Sequence, residues 1–224
     1  RLDSEAPVNE VELKIEEILV NSGIDRETIQ FRDSERYLRI GYWRRLPDDI
    51  LAKLGDFYAE AIIKSDVKFD MLFGPAYKGI TLVAAVSIAL AKRGKNVNFA
   101  YNRKEAKDHG EGGVLVGAPV KGRVVIIDDV ISAGTSVRES VDLIGKAGAE
   151  PAAVLIALDR MERSGTATQI GDKSAVQAVE QEFGIPVISI ANLTGLMSFL
   201  TSSSDSQLNH YLPAVKAYRD QYGI

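Results

Sequence analysis

The stretch that decides the fold is Val124-Val125-Ile126-Ile127-Asp128-Asp129-Val130-Ile131-Ser132-Ala133-Gly134-Thr135-Ser136. Its first four residues form an unbroken Val/Ile run, which is typical of a strand buried on both faces of a parallel sheet. Two adjacent carboxylates follow this strand, and a turn of small and hydroxyl residues then leads into a helix-like segment. Because such sheets bind their ligands at the carboxyl ends of the strands, the pattern predicts a ligand site at this point.

The turn after the two carboxylates has the composition of a phosphate-binding loop. Gly134 lets the backbone approach a ligand closely, and hydroxyls lie beside the amides that open the next helix, on Ser132, Thr135 and Ser136. Those amides and the helix dipole favour an anion. A ribose phosphate satisfies both the loop and the carboxylates, since carboxylates accept hydrogen bonds from sugar hydroxyls and help to hold Mg²⁺. The alternative is that Asp129 and Thr135 only cap the helix.

The composition excludes several classes of function. With 224 residues, the chain is long enough for one large domain, or one domain with a small appendage. Its net charge of −4 gives no bulk electrostatic basis for binding nucleic acid or a membrane, and the lack of cysteine excludes disulfides, thiolate catalysis and cysteine-ligated zinc. No apolar run approaches the length of a membrane span, and Arg1 to Val20 does not look like a signal peptide. We therefore expect a cytoplasmic protein.

Strand-like and helix-like segments alternate through most of the chain. This alternation predicts right-handed crossovers and an α/β fold with a doubly wound, mainly parallel sheet of five strands. The predicted strands are Phe69–Phe73, Val97–Tyr101, Val124–Ile127, Ala153–Leu158 and Val187–Ile190. The predicted helices are Pro7–Asn21, a helix opening at Pro47 with a buried stripe at Leu51, Leu54, Phe57, Tyr58, Ala61 and Ile62, and then Gly79–Lys92, Thr135–Ala147, Ala175–Phe183, Leu193–Leu200 and Tyr211–Tyr222. The arginine- and aromatic-rich segment Ile29–Arg45 is interpreted as one or two short strands.

One connection, residues 102–122, is too long and too polar for a simple crossover. Its glycines permit large backbone changes, as in a lid, and its basic side chains would then close over a polyanion. The alternative is a solvated hairpin. The basic side chains are those of Arg103, Lys104, Lys107 and His109.

Two further cations follow predicted strands, so we expect them at the same cleft. Lys78, in the loop after the first strand of the sheet, suits contact with a second phosphate group. Arg160 follows the strand Ala153–Leu158 and offers a forked pair to a carboxylate ligand. The alternative for Arg160 is a salt bridge to Asp159 or Glu162.

Residues 125–136 resemble the phosphoribosyl pyrophosphate motif of the type I phosphoribosyltransferases. Two other stretches resemble orotate phosphoribosyltransferases in particular: Phe73-Gly74-Pro75-Ala76-Tyr77-Lys78-Gly79 and Asn102-Arg103-Lys104-Glu105-Ala106-Lys107-Asp108-His109-Gly110-Glu111-Gly112-Gly113. The resemblance covers about three quarters of the chain, from about Leu51 onward. It implies a type I phosphoribosyltransferase-like core at residues 47–224, preceded by an N-terminal helix and a hood-like segment at residues 1–46. Residues 31–43 do not match the family's Lys-Ser-Gly-Arg stretch, so no role is transferred to them.

The resemblance implies an enzyme that makes orotidine monophosphate and pyrophosphate from orotate and phosphoribosyl pyrophosphate with Mg²⁺. It also implies a homodimer in which the lid of each subunit reaches the active site of its neighbour, and a cis peptide bond between Ala76 and Tyr77. No direct metal ligands are implied beyond water-mediated contacts from Asp128 and Asp129. The alternatives are a phosphoribosyltransferase for another base and a non-catalytic regulator that binds phosphoribosyl pyrophosphate.

The same resemblance assigns roles to individual residues. The catalytic residues would be Lys107, Asp128 and Asp129. Phosphoribosyl pyrophosphate would contact Tyr77, Lys78, Arg103, Lys104, Lys107, His109, Asp128, Asp129, Val130, Ile131, Ser132, Ala133, Gly134, Thr135 and Ser136. Of these, residues 132–136 would form the 5′-phosphate loop, and the two aspartates would bind the ribose. Orotate would contact Ser132, where the family usually has threonine, and Arg160.

Overall fold

The structure is a computed structural model that describes residues 48–107, 113–165, 170–202 and 211–224. The predicted helix Pro7–Asn21, the predicted strands of Ile29–Arg45 and the hood-like segment lie outside the described residues. The proposed boundary between residues 46 and 47 therefore stays a prediction.

Eight strands and six helices are present in the described ranges. The strands are β1 (Met71–Gly74), β2 (Asn98–Lys107), β3 (Gly113–Gly117), β4 (Arg123–Ile127), β5 (Glu150–Asp159), β6 (Arg163–Gly165), β7 (Ile170–Ser174) and β8 (Val187–Asn192). The helices are α1 (Asp48–Lys64), α2 (Lys78–Lys92), α3 (Thr135–Lys146), α4 (Ala175–Phe183), α5 (Leu193–Ser202) and α6 (Leu212–Tyr222). Of the helices described, none is both long enough and apolar enough to cross a bilayer.

The central sheet confirms the predicted α/β fold. Its strand order is β3-β2-β1-β4-β5-β8, and every pair is parallel except β2 with β3. The five predicted strands are the five parallel strands of this sheet. The five predicted strands include neither the separate two-stranded sheet of β6 and β7 nor β3, which belongs to the hairpin given as the alternative for residues 102–122. These strands are three to five residues long, and β3 is only partly buried, so they lack the continuous apolar run that marks a central strand.

The long polar connection begins as a hairpin. The predicted strand Val97–Tyr101 continues as β2 to Lys107, and β3 returns antiparallel to it, with a shift of register between Asn102 and Lys107. The described parts of this connection therefore have the hairpin geometry of the alternative reading. The tip, residues 108–112, and with it His109, lies outside the described residues.

The core is centred on β4, which lies between β1 and β5. All four residues of Val124–Ile127 are fully buried, in agreement with the two-sided burial that their sequence predicts. Burial of each such side chain contributes about 1.5–3 kcal/mol. On α1, Tyr58 and Ile62 are buried as predicted, but Phe57 is 55% exposed. Its assignment to the buried stripe was wrong, because consecutive residues of a helix point about 100° apart and α1 turns Tyr58 inward.

Two helical glycines allow the packing of α1 on α2 to be tested. A Cβ atom at Gly55 of α1 would lie 2.8 Å from the carbonyl oxygen of Ala85 in α2, whereas a Cβ atom at Gly145 of α3 would meet nothing within 4 Å. We expect Gly55→Ala to lower the free energy of unfolding by about 1–3 kcal/mol through overpacking. We expect Gly145→Ala, the matched control, to raise it by up to about 1 kcal/mol through helix propensity.

Urea titrations of both variants and the parent measure these changes. A stabilising Gly55→Ala would contradict the close contact between α1 and α2.

Candidate functional site

Two buried carboxylates lie side by side at the end of β4. The residues Asp128 and Asp129 are only 8% and 5% exposed. The Oδ1 atom of Asp128 accepts from the backbone N–H of Asp129 at 2.9 Å, and its Oδ2 atom accepts from the hydroxyl of Ser136 at 2.9 Å. The Oδ2 atom of Asp129 lies 2.5 Å from Nζ of Lys78, which arrives from the loop after β1. The predicted meeting of these two loops is therefore observed.

The two carboxylates have different electrostatic surroundings. Burial raises the pKa of the Asp128 carboxyl to about 7, and the neighbouring Asp129 carboxylate also raises it, against the hydrogen bonds from the Asp129 amide and Ser136. Asp129 instead has the ammonium group of Lys78 at ion-pair distance. A ligand that brings positive charge or hydroxyl donors would favour the ionised form of Asp128.

A buried tyrosine forms a hydrogen bond with the backbone of the carboxylate pair, and the sequence did not predict this role. The hydroxyl of Tyr58 on α1 donates to the backbone oxygen of Asp128 at 2.7 Å. Burial raises the pKa of Tyr58 well above its usual value, and the charges of Asp129 and Asp128 raise it further. The backbone N–H of Ala157 in β5 donates to the Asp129 oxygen at 2.9 Å. The only sequence signal was a tyrosine, which carries a hydroxyl, in an otherwise apolar stripe.

The turn before α3 is shaped for an anion and not for a side-chain cap. Gly134 is the N-cap residue, in the left-handed region with φ of 73°, and no side chain caps the helix. The capping alternative for Asp129 and Thr135 is therefore wrong. The first turn of α3 carries no acidic residue, so its amides and the helix dipole suit a phosphate group. The hydroxyl of Ser136, in this first turn, donates to the Asp128 carboxylate.

An arginine on α3 fastens this turn. The Nη1 atom of Arg138 donates to the carbonyl oxygen of Ala133 at 2.6 Å. The same guanidinium forms a forked pair with Glu182 of α4, with contacts of 2.7 to 3.0 Å. The turn is thus tied to α4 as well as to β4.

The loop after β1 is held by a buried asparagine. The peptide bond between Ala76 and Tyr77 is cis, as the family resemblance implied. The backbone N–H of Ala76 donates to Oδ1 of Asn102 at 2.7 Å, and Asn102 is 6% exposed. Tyr77 itself is 64% exposed, so its ring is available to a ligand. The sequence reading did not identify Asn102, because its partner lies 26 residues away.

The two predicted base contacts meet at the end of β5. Nη2 of Arg160 donates to the Ser132 hydroxyl at 2.8 Å and lies 3.0 Å from Oε2 of Glu162. The salt-bridge alternative for Arg160 is therefore observed, and the same guanidinium also reaches the loop after β4. Its forked pair with a carboxylate ligand stays a prediction. Arg160 is 7% exposed, which places a buried cation beside the turn that precedes α3.

The basic residues of β2 have different surroundings. Nζ of Lys104 lies 3.2 Å from Oε2 of Glu139 on α3, and both side chains are about half exposed. Nη1 of Arg103 is buried and has no hydrogen-bond partner among the described residues. The backbone of Lys107 ends β2, but its side chain is not described, and His109 lies outside the description. The structure therefore does not test the predicted roles of these last two residues.

Comparison with known proteins identifies the family. The phosphoribosyl transferase domain matches residues 46–186. The chain is 80% identical to the orotate phosphoribosyltransferase of Polynucleobacter asymbioticus over 174 residues, which is 78% of this chain and 78% of that protein. It is 63% identical to the orotate phosphoribosyltransferase of Cupriavidus necator over 175 residues, which is 78% of this chain and 77% of that protein. The chain belongs to the orotate phosphoribosyltransferase family.

Solved structures of orotate phosphoribosyltransferases have the same fold. The crystal structure of the Francisella tularensis protein matches with a TM-score of 0.67 and 39% identity, covering 80% of this chain and 82% of that chain. A Mycobacterium tuberculosis orotate phosphoribosyltransferase in complex with 5-phospho-alpha-D-ribosyl 1-diphosphate matches with a TM-score of 0.55 and 21% identity, covering 82% and 98%. At that identity, the second comparison supports the fold alone. The predicted family and fold class are confirmed, and the chain is a phosphoribosyltransferase.

The shifted pKa of Asp128 predicts an unusual pH dependence of stability. Its folded pKa of about 7 lies above the unfolded value of about 3.9, so the native state holds an extra proton between these values. Stability from this group therefore falls as pH rises through that window. Relative to Asp128→Asn, we expect the parent to lose free energy of unfolding from about pH 4 to 7, by up to about 1.4 kcal/mol per pH unit. Urea titrations across this pH range measure the difference.

Asp70 provides a control of opposite sign. Hydrogen bonds from Arg123 hold the pKa of Asp70 at about 2, below its unfolded value. Relative to Asp70→Asn, the parent should therefore gain stability as pH rises from about 2 to 4 and show no further change above this range. Parallel pH curves for Asp128→Asn and the parent would contradict the raised pKa of Asp128.

Proposed function

We propose that this chain transfers the ribose 5-phosphate group of phosphoribosyl pyrophosphate to orotate, giving orotidine 5′-monophosphate and pyrophosphate. The observation that carries the proposal is the contact of Arg160 with Ser132 at 2.8 Å. This contact places Arg160, a cation suited to a base that carries a carboxylate, against the turn after β4, which is suited to a sugar phosphate. The names of the relatives support the same reaction.

The reaction exchanges one bond at the anomeric carbon of the ribose. The bond from this carbon to the pyrophosphate oxygen breaks, and the pyrophosphate leaves with the electron pair. A bond from the same carbon to a ring nitrogen of orotate forms. Because this nitrogen attacks as an anion, its proton has already been released to solvent, and the site needs no strong general base.

The two buried carboxylates would hold the ribose. Carboxylate oxygens accept hydrogen bonds from sugar hydroxyls, and their negative charge favours the positive charge that builds on the ribose ring as the leaving group departs. Asp129 is held in place by its ion pair with Lys78 at 2.5 Å. Asp128 is fixed by Ser136 and the Asp129 amide, so neither carboxylate needs to reorganise when the substrate binds.

The pyrophosphate would lie between the loop after β1 and the β2 hairpin. Lys78 would share its ammonium group between Asp129 and the phosphate oxygens, with Tyr77 beside it. The roles proposed for Arg103, Lys104, Lys107 and His109 come from the family resemblance. Lys104 would have to exchange its exposed contact with Glu139 for the phosphates, which is inexpensive because exposed ion pairs contribute only about 0–1 kcal/mol.

The 5′-phosphate and the base would occupy the two sides of the turn after β4. The amides that open α3 would bind the phosphate, since no side chain of the helix caps them. Arg160 would form a forked pair with the carboxylate of orotate, and Ser132 would add a hydroxyl contact. A base without this carboxylate would lose the charge-assisted pair.

The residues present fit a magnesium ion that is held mainly by the substrate. Among the described residues, no group of three or more potential protein ligands is gathered at one point, whereas Asp128 and Asp129 are adjacent and buried. Mg²⁺ usually keeps several waters and binds through one or two carboxylates together with substrate phosphates. When bound, it would supply positive charge at the departing pyrophosphate.

An assay of orotate turnover tests the proposed function. We expect orotate absorbance to fall when phosphoribosyl pyrophosphate and Mg²⁺ are both present, and to stay constant when chelator removes the metal. Uracil and purine bases in the same assay test the alternative of another base. Binding of phosphoribosyl pyrophosphate without turnover of any base would instead favour the non-catalytic regulator.

Lys107 tests the proposed lid and its sharing in a homodimer. Because the lid is expected to be solvated, Lys107→Ala should lower kcat by orders of magnitude while thermal stability changes little. If the lid of one subunit serves its neighbour, heterodimers of Lys107→Ala and Asp129→Asn subunits should regain activity, since one of their sites contains both intact residues. Verified heterodimers without recovered activity would exclude sharing. Equal losses of activity and stability in Lys107→Ala would contradict its catalytic role.

A further inference from the structure

The turn after β5 directs a buried arginine inward and a glutamate back toward it. Met161 takes the left-handed conformation, with φ of 51°, and its backbone N–H donates to Oδ1 of Asp159 at 2.8 Å. This reversal brings Arg160 and Glu162 together on one side of the turn. Their side chains are 7% and 14% exposed, so the pair is largely shielded from water.

Glu162 joins Arg160 to the last helix. Its Oε2 atom lies 3.0 Å from Nη2 of Arg160, and its Oε1 atom accepts a hydrogen bond from the hydroxyl of Tyr218 on α6. Burial raises the pKa of Glu162, and the positive charge of Arg160 opposes that shift. Tyr218, Glu162, Arg160 and Ser132 therefore form a continuous chain of polar contacts, called here the Tyr218–Ser132 relay.

Hydrogen bonds hold the residues that follow α6 against the same turn. Glu162 forms an antiparallel bridge with Gly223, and the backbone N–H of Ile224 donates to the Met161 oxygen at 3.1 Å. Nε of Arg163 donates to the Gly223 oxygen at 3.0 Å. The distance between Tyr218 and the turn is thus set by the backbone on both sides.

We propose that Tyr218 and Glu162 are positioning residues that orient the Arg160 guanidinium toward the carboxylate of the base. This inference rests on the proposed function. Recognition of a planar carboxylate by a guanidinium is bidentate and depends on the angle between the two groups. An arginine that is already oriented loses less side-chain freedom when the base binds, and it therefore binds the base more tightly.

Glu162 can orient Arg160 while the carboxylate of the base takes over the N–H that the Ser132 hydroxyl accepts. A guanidinium has five N–H donors in a rigid fork. The contacts with Glu162 and Ser132 both fall on Nη2, one corner of this fork. Contacts from two directions at one corner fix the rotation of the group. The hydroxyl of Tyr218, in turn, fixes the carboxylate of Glu162 from its other oxygen.

Steady-state kinetics of hydroxyl-deletion variants test the relay. We expect Tyr218→Phe to raise the KM for orotate by about three- to tenfold, the usual effect of losing one hydrogen bond. Both kcat at saturating orotate and the KM for phosphoribosyl pyrophosphate should stay at parental values. A purely structural role would instead change both KM values together.

Tyr222 provides a matched control on the same helix, because its ring packs against that of Tyr218 with centroids 5.2 Å apart. Tyr222→Phe should leave all three parameters unchanged. Glu162→Gln, which keeps the shape of the side chain, should raise the KM for orotate at least as much as Tyr218→Phe, and it serves if Tyr218→Phe does not fold. An unchanged KM for orotate in Tyr218→Phe, or a lower one in Glu162→Gln, would overturn the proposal.

Side-chain NMR separates a failure of the relay from a failure of the proposed function. In ¹⁵N-arginine-labelled protein, the Arg160 guanidinium signal is assigned by its loss in Arg160→Lys. We expect restricted guanidinium rotation in the parent and faster rotation in Tyr218→Phe, with no change in Tyr222→Phe. If the parent does not turn over orotate, the proposed function fails, and this measurement still decides the relay. Equal rotation rates in the parent and Tyr218→Phe would overturn the relay, whatever the activity.

Discussion

The burial of two adjacent carboxylates at the end of a central strand is the constraint on which the site depends. An uncompensated buried charge costs several kcal/mol, so Asp128 and Asp129 require partners from the elements around them. Lys78 comes from the loop after β1, and Ser136 comes from α3. Tyr58 of α1 adds a hydrogen bond to the backbone at the same point. The electrostatic requirement of one dipeptide thus explains why three separate segments converge there.

The strands, helices and turns that depend on a local sequence pattern were predicted best. The Val/Ile run of β4 is buried on both faces, and the following acid pair and small-residue turn occupy the strand end that the parallel-sheet rule indicates. The periodicity of α2, α3 and α4 fixed their bounds to within one residue. The positions of Lys78 and Arg160 after predicted strands also placed them at the same cleft, because parallel strands bring their carboxyl ends to one edge.

The sequence predicted poorly what depends on distant partners. Tyr58 acts on a carbonyl 70 residues away, and Asn102 acts on an amide 26 residues away. No local pattern carries such pairings. The short strand β3 was missed for a related reason, since it is a strand only by virtue of its pairing with β2. For Arg160, a salt bridge and a ligand contact are not exclusive, because a guanidinium has several donors.

The order of strands in the sheet has a consequence for the size of the substrates. Arg103 and Lys104 lie on β2, Lys78 follows β1, the two aspartates follow β4, and Arg160 follows β5, and these strands are neighbours in that order. Along the sheet, the side chains assigned to pyrophosphate, ribose and base therefore follow the order of these groups in the reacting pair. Neighbouring strands lie about 4.8 Å apart, so β1 and β5 are separated by roughly 10 Å. Backbone hydrogen bonds between strands set the spacing of the strand ends. Side-chain substitutions can therefore alter which group each strand end binds, but not how far apart the strand ends lie.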